Sequence, residues 1–309
     1  MVLGVNSDKS PERNPLIRPR RAKILEKGDM SASARRTPFT HEHYKYILRS
    51  GLDSGYKFIS FSELGKLGQD QQLVCLRHDC DNDLTAAEAM ARLEEEIGVR
   101  STFFLMLRSA MYNLLSIPNA ELARKVIRRG HDIGLHFDEQ YYPNATPAQL
   151  VAYVDWERAF LSREFGVPVE VVSFHQPSQR VLENRVRTDC ISTHDRNYMK
   201  GVHYISDSNM VWKKRCPIEF FLARKHPRLQ LLIHPEWWTP EEMTVQQKWN
   251  QMLLNNFELI QQSLLRRERT YTQRQEIEFM LLECDEIMGC HLSGSKHRNC
   301  TIDKDTGGA

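Results

Sequence analysis

Two aspartates separated by one residue are the strongest chemical signal in this sequence. Asp79 and Asp81 belong to the segment RHDCD, and side chains two residues apart on an extended strand point to the same side. Two carboxylates at such a short distance repel each other, and a divalent cation would offset the repulsion. One carboxylate would coordinate the cation while the other stays free to accept a proton. A simpler interpretation is a strand-end turn in which Asp81 or Asp83 caps the following helix.

Three later apolar runs end in histidines that suit a transition metal. His136 lies in GHDIGLHFD, His175 in SFHQPS and His234 in LLIHPEWW. A neutral imidazole is a common metal ligand, and clusters of histidine and carboxylate suit zinc or another divalent transition metal. His131, at the start of its run, is expected to bond nearby backbone instead of reaching the same pocket.

Aromatic and polar residues beside these runs are candidates for substrate contact. Trp237 and Trp238 end the last run and could form a flat apolar wall for a sugar ring, although core packing is expected for at least one of them. Asp207, within YISDSNMVW, is a further site candidate. His78, next to Asp79, is counted among the substrate-binding candidates.

Alternating strands and helices must bring these residues together. Short apolar runs suited to buried strands alternate with segments of helical period, which is typical of a parallel sheet or barrel covered by helices. Strands are predicted at 73–80, at 101–107, in HDIGLHF, in VEVVSFHQ and near 229–238. Helices are predicted between Asp83 and Gly98, at 119–130 and at about 146–166. Because the carboxyl ends of parallel strands form the active-site face of such proteins, the polar strand ends can converge on one pocket.

Length, composition and charge limit the class of protein. A chain of 309 residues, 41% hydrophobic and 27% charged, fits one large globular domain or two small ones. The net charge of +2 is too small for a protein built to neutralise many phosphates, so nucleic acid is not expected as a partner. The sequence has neither an apolar run of the roughly 20 residues needed to cross a bilayer nor a signal peptide, which predicts a cytoplasmic protein. The seven cysteines form no CxxC pair and are expected to be mostly free thiols.

The two ends of the chain differ in composition from its middle. Residues 1–36 are basic, contain Pro, Ser and Asn, and lack an apolar period, so they are predicted to form a flexible arm. Residues 285–309 are polar and aperiodic and are predicted to form a flexible tail. The sequence therefore predicts a single folded domain at 37–284, with an oligomeric state that it does not fix.

Six segments resemble, in order, the motifs of the polysaccharide deacetylases, which are NodB-like proteins of carbohydrate esterase family 4. The resemblance is to the divergent branch of this family, whose first motif reads HDxD. The segments span about residues 70–240 and are LRHDCD, STFFLM, GHDIGLHFD, SFHQPS, YISDSNMVW and LLIHPEWW. The resemblance implies an α/β fold of the distorted (β/α)7 barrel type and a single divalent metal. It also implies a hydrolase that removes an N-acetyl or related acyl group from a sugar or glycan precursor.

The resemblance assigns the proton transfers of this reaction to two residues. Asp79 matches the catalytic base of the family, and His234 matches the late histidine that lies over the substrate as a general acid. A metal-activated water would lose its proton to Asp79, and protonated His234 would donate to the departing amine.

The metal ligands of the family are matched less completely. Asp81 matches the carboxylate ligand and His136 the first histidine ligand. Gln140 stands where typical members carry a second histidine, and glutamine is a poor ligand for a transition metal. The third ligand is then His175, where the family usually has arginine, or Asp138, or a water. Zinc is the expected metal, with cobalt, nickel or iron as alternatives.

Two other functions use the same motifs. Gln140 would fit a catalytically impaired barrel that has lost its metal and binds a glycan or another protein. Asp79, Asp81 and His234 count against this interpretation, because a binding module has no evident need for a base and an acid. Hydrolysis of a different C–N bond, such as that of a cyclic amide, would also fit the same barrel.

Overall fold

The computed structural model describes residues 38–68, 71–213 and 215–271. The predicted arm at 1–36, the predicted tail at 285–309 and the predicted domain end at 284 lie outside the described residues.

Strands and helices alternate along the described part of the chain. The strands are β1 (Lys57–Ile59), β2 (Leu73–Cys80), β3 (Thr102–Leu105), β4 (Asp132–Phe137), β5 (Val171–Phe174), β6 (Ile191–Ser192), β7 (His203–Ser206) and β8 (Arg228–Ile233). The helices are α1 (His41–Asp53), α2 (Phe61–Leu64), α3 (Leu84–Ile97), α4 (Ile117–Arg128), α5 (Pro147–Phe165), α6 (Gln179–Leu182), α7 (Pro217–Ala223) and α8 (Val245–Arg267). Short 3-10 turns cover Glu139–Tyr141, Ser208–Met210 and Pro235–Trp237.

The strands form a curled, parallel half-barrel. Seven of them follow the order β6-β5-β4-β3-β2-β8-β7. The additional strand β1 pairs with the first half of β2, whose second half pairs with β3. Every pairing is parallel, so the strands all present their carboxyl ends to one side. This is the α/β fold of distorted (β/α)7 type that the sequence led us to expect.

Local capping signals explain where two of the predicted helices begin and end. The Asp83 carboxylate accepts hydrogen bonds from two backbone N–H groups of the first turn of α3, and Gly98 ends this helix with a φ of 80°. Helix α5 begins with a capping box between Thr146 and Gln149 and ends at Gly166, whose φ is 68°. The predicted boundaries of these helices are confirmed.

Alternation along β2 separates two hydrophobic cores. Leu73 and Cys75 point into the curl of the sheet and join a small inner core, while Val74 and Leu76 join the large core between the sheet and the helices. Arg77 and Asp79 have the same parity as the inner residues. The strand therefore carries these two charged side chains into the mouth of the half-barrel.

None of the helices in the described ranges is long and apolar enough to cross a membrane. The described cysteines, which are Cys75, Cys80, Cys190 and Cys216, are all free thiols. This agrees with the expectation for these four positions, and the other three cysteines lie outside the described residues.

Gly134 on β4 lets a neighbouring aromatic ring lie directly against the backbone. A Cβ atom at this position would lie 2.6 Å from two ring carbons of Phe104, which is itself fully buried. We expect Gly134→Ala to lower the free energy of unfolding by about 1–3 kcal/mol, because the ring has no free space to move into. Urea unfolding measures the change. The matched control is Gly68→Ala, where an added Cβ meets nothing within 4 Å; equal effects of the two substitutions would contradict this prediction.

Candidate active site

A cleft of about 770 Å³ opens at the carboxyl ends of the strands. Six of the residues singled out in the sequence line this cleft: Asp79, Asp81, His136, His175, His234 and Trp237. The structure thus brings together side chains that are up to 158 positions apart in the chain, as the polar strand ends indicated. Asp207, Asp138, His78 and Trp238 are not among the residues that line it.

Asp81, His136 and His175 form a compact group of ligand-type atoms. The Oδ1 atom of Asp81 lies 2.9 Å from His136 Nε2 and 3.5 Å from His175 Nδ1. The two imidazole nitrogens are 3.3 Å apart. One ligand atom from each of the three residues lies within 4.8 Å of the other two.

The donor set of this group fits a divalent transition metal. Two imidazole nitrogens and one carboxylate oxygen are ligands that zinc and its neighbours accept. Asp81 Oδ1 is buried and has no hydrogen bond of good geometry among the described residues, although it lies close to both histidines. A buried carboxylate oxygen in this situation is best explained by a missing partner such as an ion.

The electrostatics of the group favour a charged carboxylate. Burial on its own raises the pKa of Asp81, but the close contact with His136 and the charge of that imidazole outweigh burial and hold the pKa well below its usual range. The nearby Asp81 carboxylate also raises the pKa of His175. Asp81 is therefore ionised at neutral pH, as a metal ligand must be.

Asp138 and Gln140, the other residues considered for the third ligand position, lie outside this group. Asp138 caps the 3-10 turn at the end of β4, where its Oδ1 accepts a hydrogen bond from the Gln140 backbone N–H at 3.0 Å. The exposed Gln140 side chain donates to Gln176 Oε1 at 3.0 Å. His175 is the residue that completes the three-residue group.

Asp79 forms a bidentate ion pair with Arg77, which sequence reasoning missed. Its two oxygens accept hydrogen bonds from Arg77 Nε at 2.7 Å and from Nη2 at 2.6 Å. Arg77 also donates to Ser173 and, at 3.0 Å, to Thr193. The two-residue spacing on β2 places both side chains on one face, so the sequence did contain a signal for this pair.

The ion pair keeps Asp79 charged in a buried place. Burial raises the pKa of this carboxyl, but the positive charge of Arg77 and the nearby His136 lower it by more than burial raises it. The pKa of Asp79 therefore lies below its ordinary value. His136 Nε2 is 3.7 Å from Asp79 Oδ2, which sets the carboxylate directly beside the three-residue group.

His234 is held from behind by the buried carboxylate of Asp207. Asp207 Oδ1 lies 2.7 Å from His234 Nδ1, and both carboxylate oxygens accept a hydrogen bond from the backbone N–H of His234. The indole of Trp238 donates to Asp207 Oδ2 at 2.9 Å. Asp207 therefore does not line the cleft itself but contacts His234, which does.

Asp207 changes the protonation of His234. Burial by itself lowers the pKa of this imidazole, but the charge of Asp207 and the hydrogen bond to it dominate and raise the pKa to about 10. His234 is therefore protonated across the neutral range and presents an acidic N–H at the cleft.

The prediction that His78 contacts substrate is corrected by its position. The side chain is fully buried on the helix side of β2, where its Nε2 lies 2.5 Å from Glu94 Oε1. Tyr44 donates to the same oxygen, and His131 contacts Ser101, which donates to the other oxygen of Glu94. Alternation along β2 turns His78 away from Asp79, so this polar network connects the sheet to the helices.

The two tryptophans differ in role. Trp237 lines the cleft and packs edge-on against Trp249, with ring centroids 4.9 Å apart. Trp238 packs against Phe39 and Tyr44 in the large core. Both rings belong to the large core, with Trp238 2% and Trp237 8% exposed, so the expectation that at least one of the pair packs in the core is confirmed, and only a small part of Trp237 is exposed at the cleft.

Glu236 is a buried acid of the cleft that the sequence analysis overlooked. Its Oε1 accepts a hydrogen bond from Asn82 at 2.8 Å, while Oε2 is buried with no hydrogen-bond partner among the described residues. Burial, and then the negative charge of Asp81, raise the pKa of Glu236 to about 8. Its place two residues after His234 was the available signal, since the turn Pro235–Trp237 carries it back to the cleft.

Among the comparisons with known proteins, only the comparison with solved structures found similar proteins. No family model and no curated protein matches the chain. The Xyl-CE4 domain of a multidomain xylanase from the hindgut metagenome of Trinervitermes trinervoides is 15% identical, with a TM-score of 0.38, over 71% of this chain and 92% of that chain. A deacetylase of Streptococcus pyogenes is 13% identical, with a TM-score of 0.40, over 63% of this chain and 81% of that chain.

A pseudoenzyme is also among the similar structures. This CE4 family pseudoenzyme from Bacillus anthracis is 12% identical, with a TM-score of 0.37, over 62% of each chain. Two of these three proteins carry the name of carbohydrate esterase family 4, the family that the sequence motifs resemble. At these identities and TM-scores the likenesses carry no argument about chemistry, which has to come from the geometry of this cleft.

Proposed function

We propose that this protein is a metal-dependent hydrolase that removes an N-acetyl or related acyl group from a sugar or glycan precursor. The observation that carries the proposal is the meeting, in one cleft, of the group Asp81, His136 and His175 with an ionised acid and a protonated imidazole. Amide hydrolysis needs a base on the attacking water and an acid on the leaving nitrogen, and these two groups have the matching charges.

The proposed metal would be held by Asp81, His136 and His175. When bound, such a cation lowers the pKa of water and polarises a carbonyl oxygen. Zinc suits this donor set, and cobalt, nickel and iron are alternatives with the same ligand preferences.

The side chains around the group would carry the proton transfers. Asp79, charged and beside His136, accepts the proton of the attacking water. Arg77 fixes the direction of this carboxylate through its two hydrogen bonds. His234, which Asp207 keeps protonated, donates to the nitrogen of the departing amine. The arrangement holds the acid and the base ready in the charge states that the reaction requires.

A carbohydrate substrate is proposed from the motif resemblance and from the shape of the cleft. Its volume lies within the range of small-molecule sites, and part of the largely buried Trp237 ring lies at its wall. The cytoplasmic location stays a prediction from the sequence.

Metal content provides the first test of the proposal. Purified protein loaded with zinc is expected to retain about one ion per chain, and His136→Ala is expected to lose it, because two of the three ligands cannot hold a transition metal tightly. Elemental analysis measures the ion, and acetate release from N-acetylated sugars and nucleotide sugars measures the reaction. The matched control is Asp138→Asn, which removes the charge of a nearby acid that is not one of the three ligand residues. Wild-type protein that retains no zinc, cobalt, nickel or iron would contradict the proposal.

A barrel without catalysis is the second candidate function. It is favoured by one observation, the exposed Gln140 side chain that hydrogen-bonds Gln176 at the position where the resemblance calls for a histidine ligand. In that case the protein would bind glycans or a protein partner without retaining a metal or releasing acetate. The same two measurements therefore separate the two functions.

A further inference from the structure

Three aromatic rings, two of them exposed, surround Arg108. The guanidinium carbon lies 4.0 Å from the ring centroid of Tyr141, 5.3 Å from that of Tyr142 and 5.8 Å from that of Trp156. Tyr141 is 58% exposed and Trp156 is 51% exposed. These four residues are called the Arg108 platform below.

The platform is held rigidly from beneath. Arg108 Nε donates to the buried carboxylate of Glu157 at 2.7 Å and to the Tyr142 hydroxyl at 3.1 Å. Tyr142 stacks on Tyr153 with ring centroids 4.1 Å apart. Because packing and hydrogen bonds already fix Arg108 and Tyr142, a ligand would lose little entropy in ordering these two side chains.

Two of the platform residues lie at the carboxyl ends of strands, where the cleft also opens. Arg108 follows the carboxyl end of β3, and Tyr141 follows that of β4. Gln140, next to Tyr141, donates to the side chain of Gln176, which lines the cleft. The loop after β4 therefore connects the two places, with Gln140 between them.

We propose that the Arg108 platform is an outer sugar-binding subsite, where one ring of a neutral oligosaccharide rests while another ring occupies the cleft. The part of this inference that concerns catalysis rests on the proposed function, because it makes the substrate an oligosaccharide and not a single sugar.

The chemistry of the platform selects a neutral sugar. Aromatic rings pack against the apolar C–H surface of a sugar ring. Single exposed aromatic residues are common on protein surfaces, whereas two exposed rings around one centre indicate a binding site. Glu157 neutralises the charge of Arg108, so an anion gains little there. The Nη1 and Nη2 groups of Arg108 have no hydrogen-bond acceptor among the described residues, so they are free donors for sugar hydroxyl groups.

The test compares a long and a short ligand on the full chain. Trp156→Ala and Tyr141→Ala are each expected to weaken binding of the N-acetylglucosamine pentamer by about two- to tenfold, measured by calorimetry. They are expected to raise KM for the pentamer by a similar factor and to leave KM and kcat for the monomer unchanged. The matched control is Tyr46→Ala, which removes a tyrosine that is also 58% exposed but lies outside the platform.

The outcomes separate this inference from the proposed function. Pentamer binding that depends on Trp156, in a protein that releases no acetate, would support the subsite and overturn the proposed hydrolase. Wild-type protein that does not bind the pentamer, or variants that bind it as well as wild type, would overturn the subsite. A change of oligomeric state in Trp156→Ala, seen by light scattering, would assign the platform to contacts between copies of the chain and would also overturn it.

Discussion

Replacing Asp79 with asparagine is expected to lower kcat/KM for deacetylation by about 10²- to 10⁴-fold, the usual contribution of a positioned general base. Asparagine has nearly the same shape and can still accept one hydrogen bond from Arg77, but it cannot take a proton from water. The measurement is acetate release at several substrate concentrations. Retained metal is part of the expected result, because Asp79 lies outside the group Asp81, His136 and His175.

The same substitution also has a cost in stability. It leaves the Arg77 guanidinium buried without a negative partner, and breaking a buried ion pair in this way costs about 3–5 kcal/mol. Kinetics are therefore measured at a temperature where circular dichroism shows the variant to be folded. Asp138→Asn is the control, since that aspartate also follows a strand but caps a turn. A folded Asp79→Asn protein with full activity would remove Asp79 from the mechanism.

Asp207→Asn is expected to move the alkaline limb of the pH profile of kcat/KM. In the wild-type protein Asp207 raises the pKa of His234 to about 10, so the protonated form persists up to that pH. Without the charge of Asp207, burial lowers this pKa towards the ordinary imidazole value of about 6.5, while the charges of Glu236 and Asp81 still raise it. The fraction of protonated His234 at pH 8, and with it kcat/KM, then falls by up to about 30-fold.

The shift can be measured without activity. The NMR signal of the His234 ring, followed against pH in both proteins, gives the two pKa values directly. The sign is fixed by the ion pair: a histidine with a raised pKa is stabilised below its ordinary pKa, and this stabilisation disappears as the pH rises through the raised value. A His234 pKa that is equal in the two proteins would show that Asp207 does not control this proton.

Local sequence signals were enough to predict most of the elements around the cleft. The β2 residues 73–80 begin with four apolar residues, and helical period together with the cap residues Asp83 and Gly98 marked the helices that follow, because these signals act within a few residues. Helices α1 and α8 were not predicted from the sequence. They lie outside the motif region, and their positions depend on packing against the sheet and against other helices.

The sequence predicted in part which face of its strand a residue occupies. The two-residue period was applied to Asp79 and Asp81, and the same rule places Arg77 with them and turns His78 to the opposite side. The sequence therefore contained the reason why Arg77, and not His78, belongs to the cleft. What it did not contain was the identity of the partner on each side, since Glu94 meets His78 from a helix whose orientation only packing determines.

The sequence by itself determined which residues could do chemistry and that they stand at strand ends, because strand and helix signals are local and parallel strands share one direction. Only the tertiary structure decided which of them meet. It grouped His175, and not Asp138 or Gln140, with Asp81 and His136, and it set Asp207 behind His234. The physical reason is that these contacts depend on the curl of the sheet and on loop conformations, where a few ångströms decide between a ligand and a distant neighbour, and no spacing in the chain records that distance.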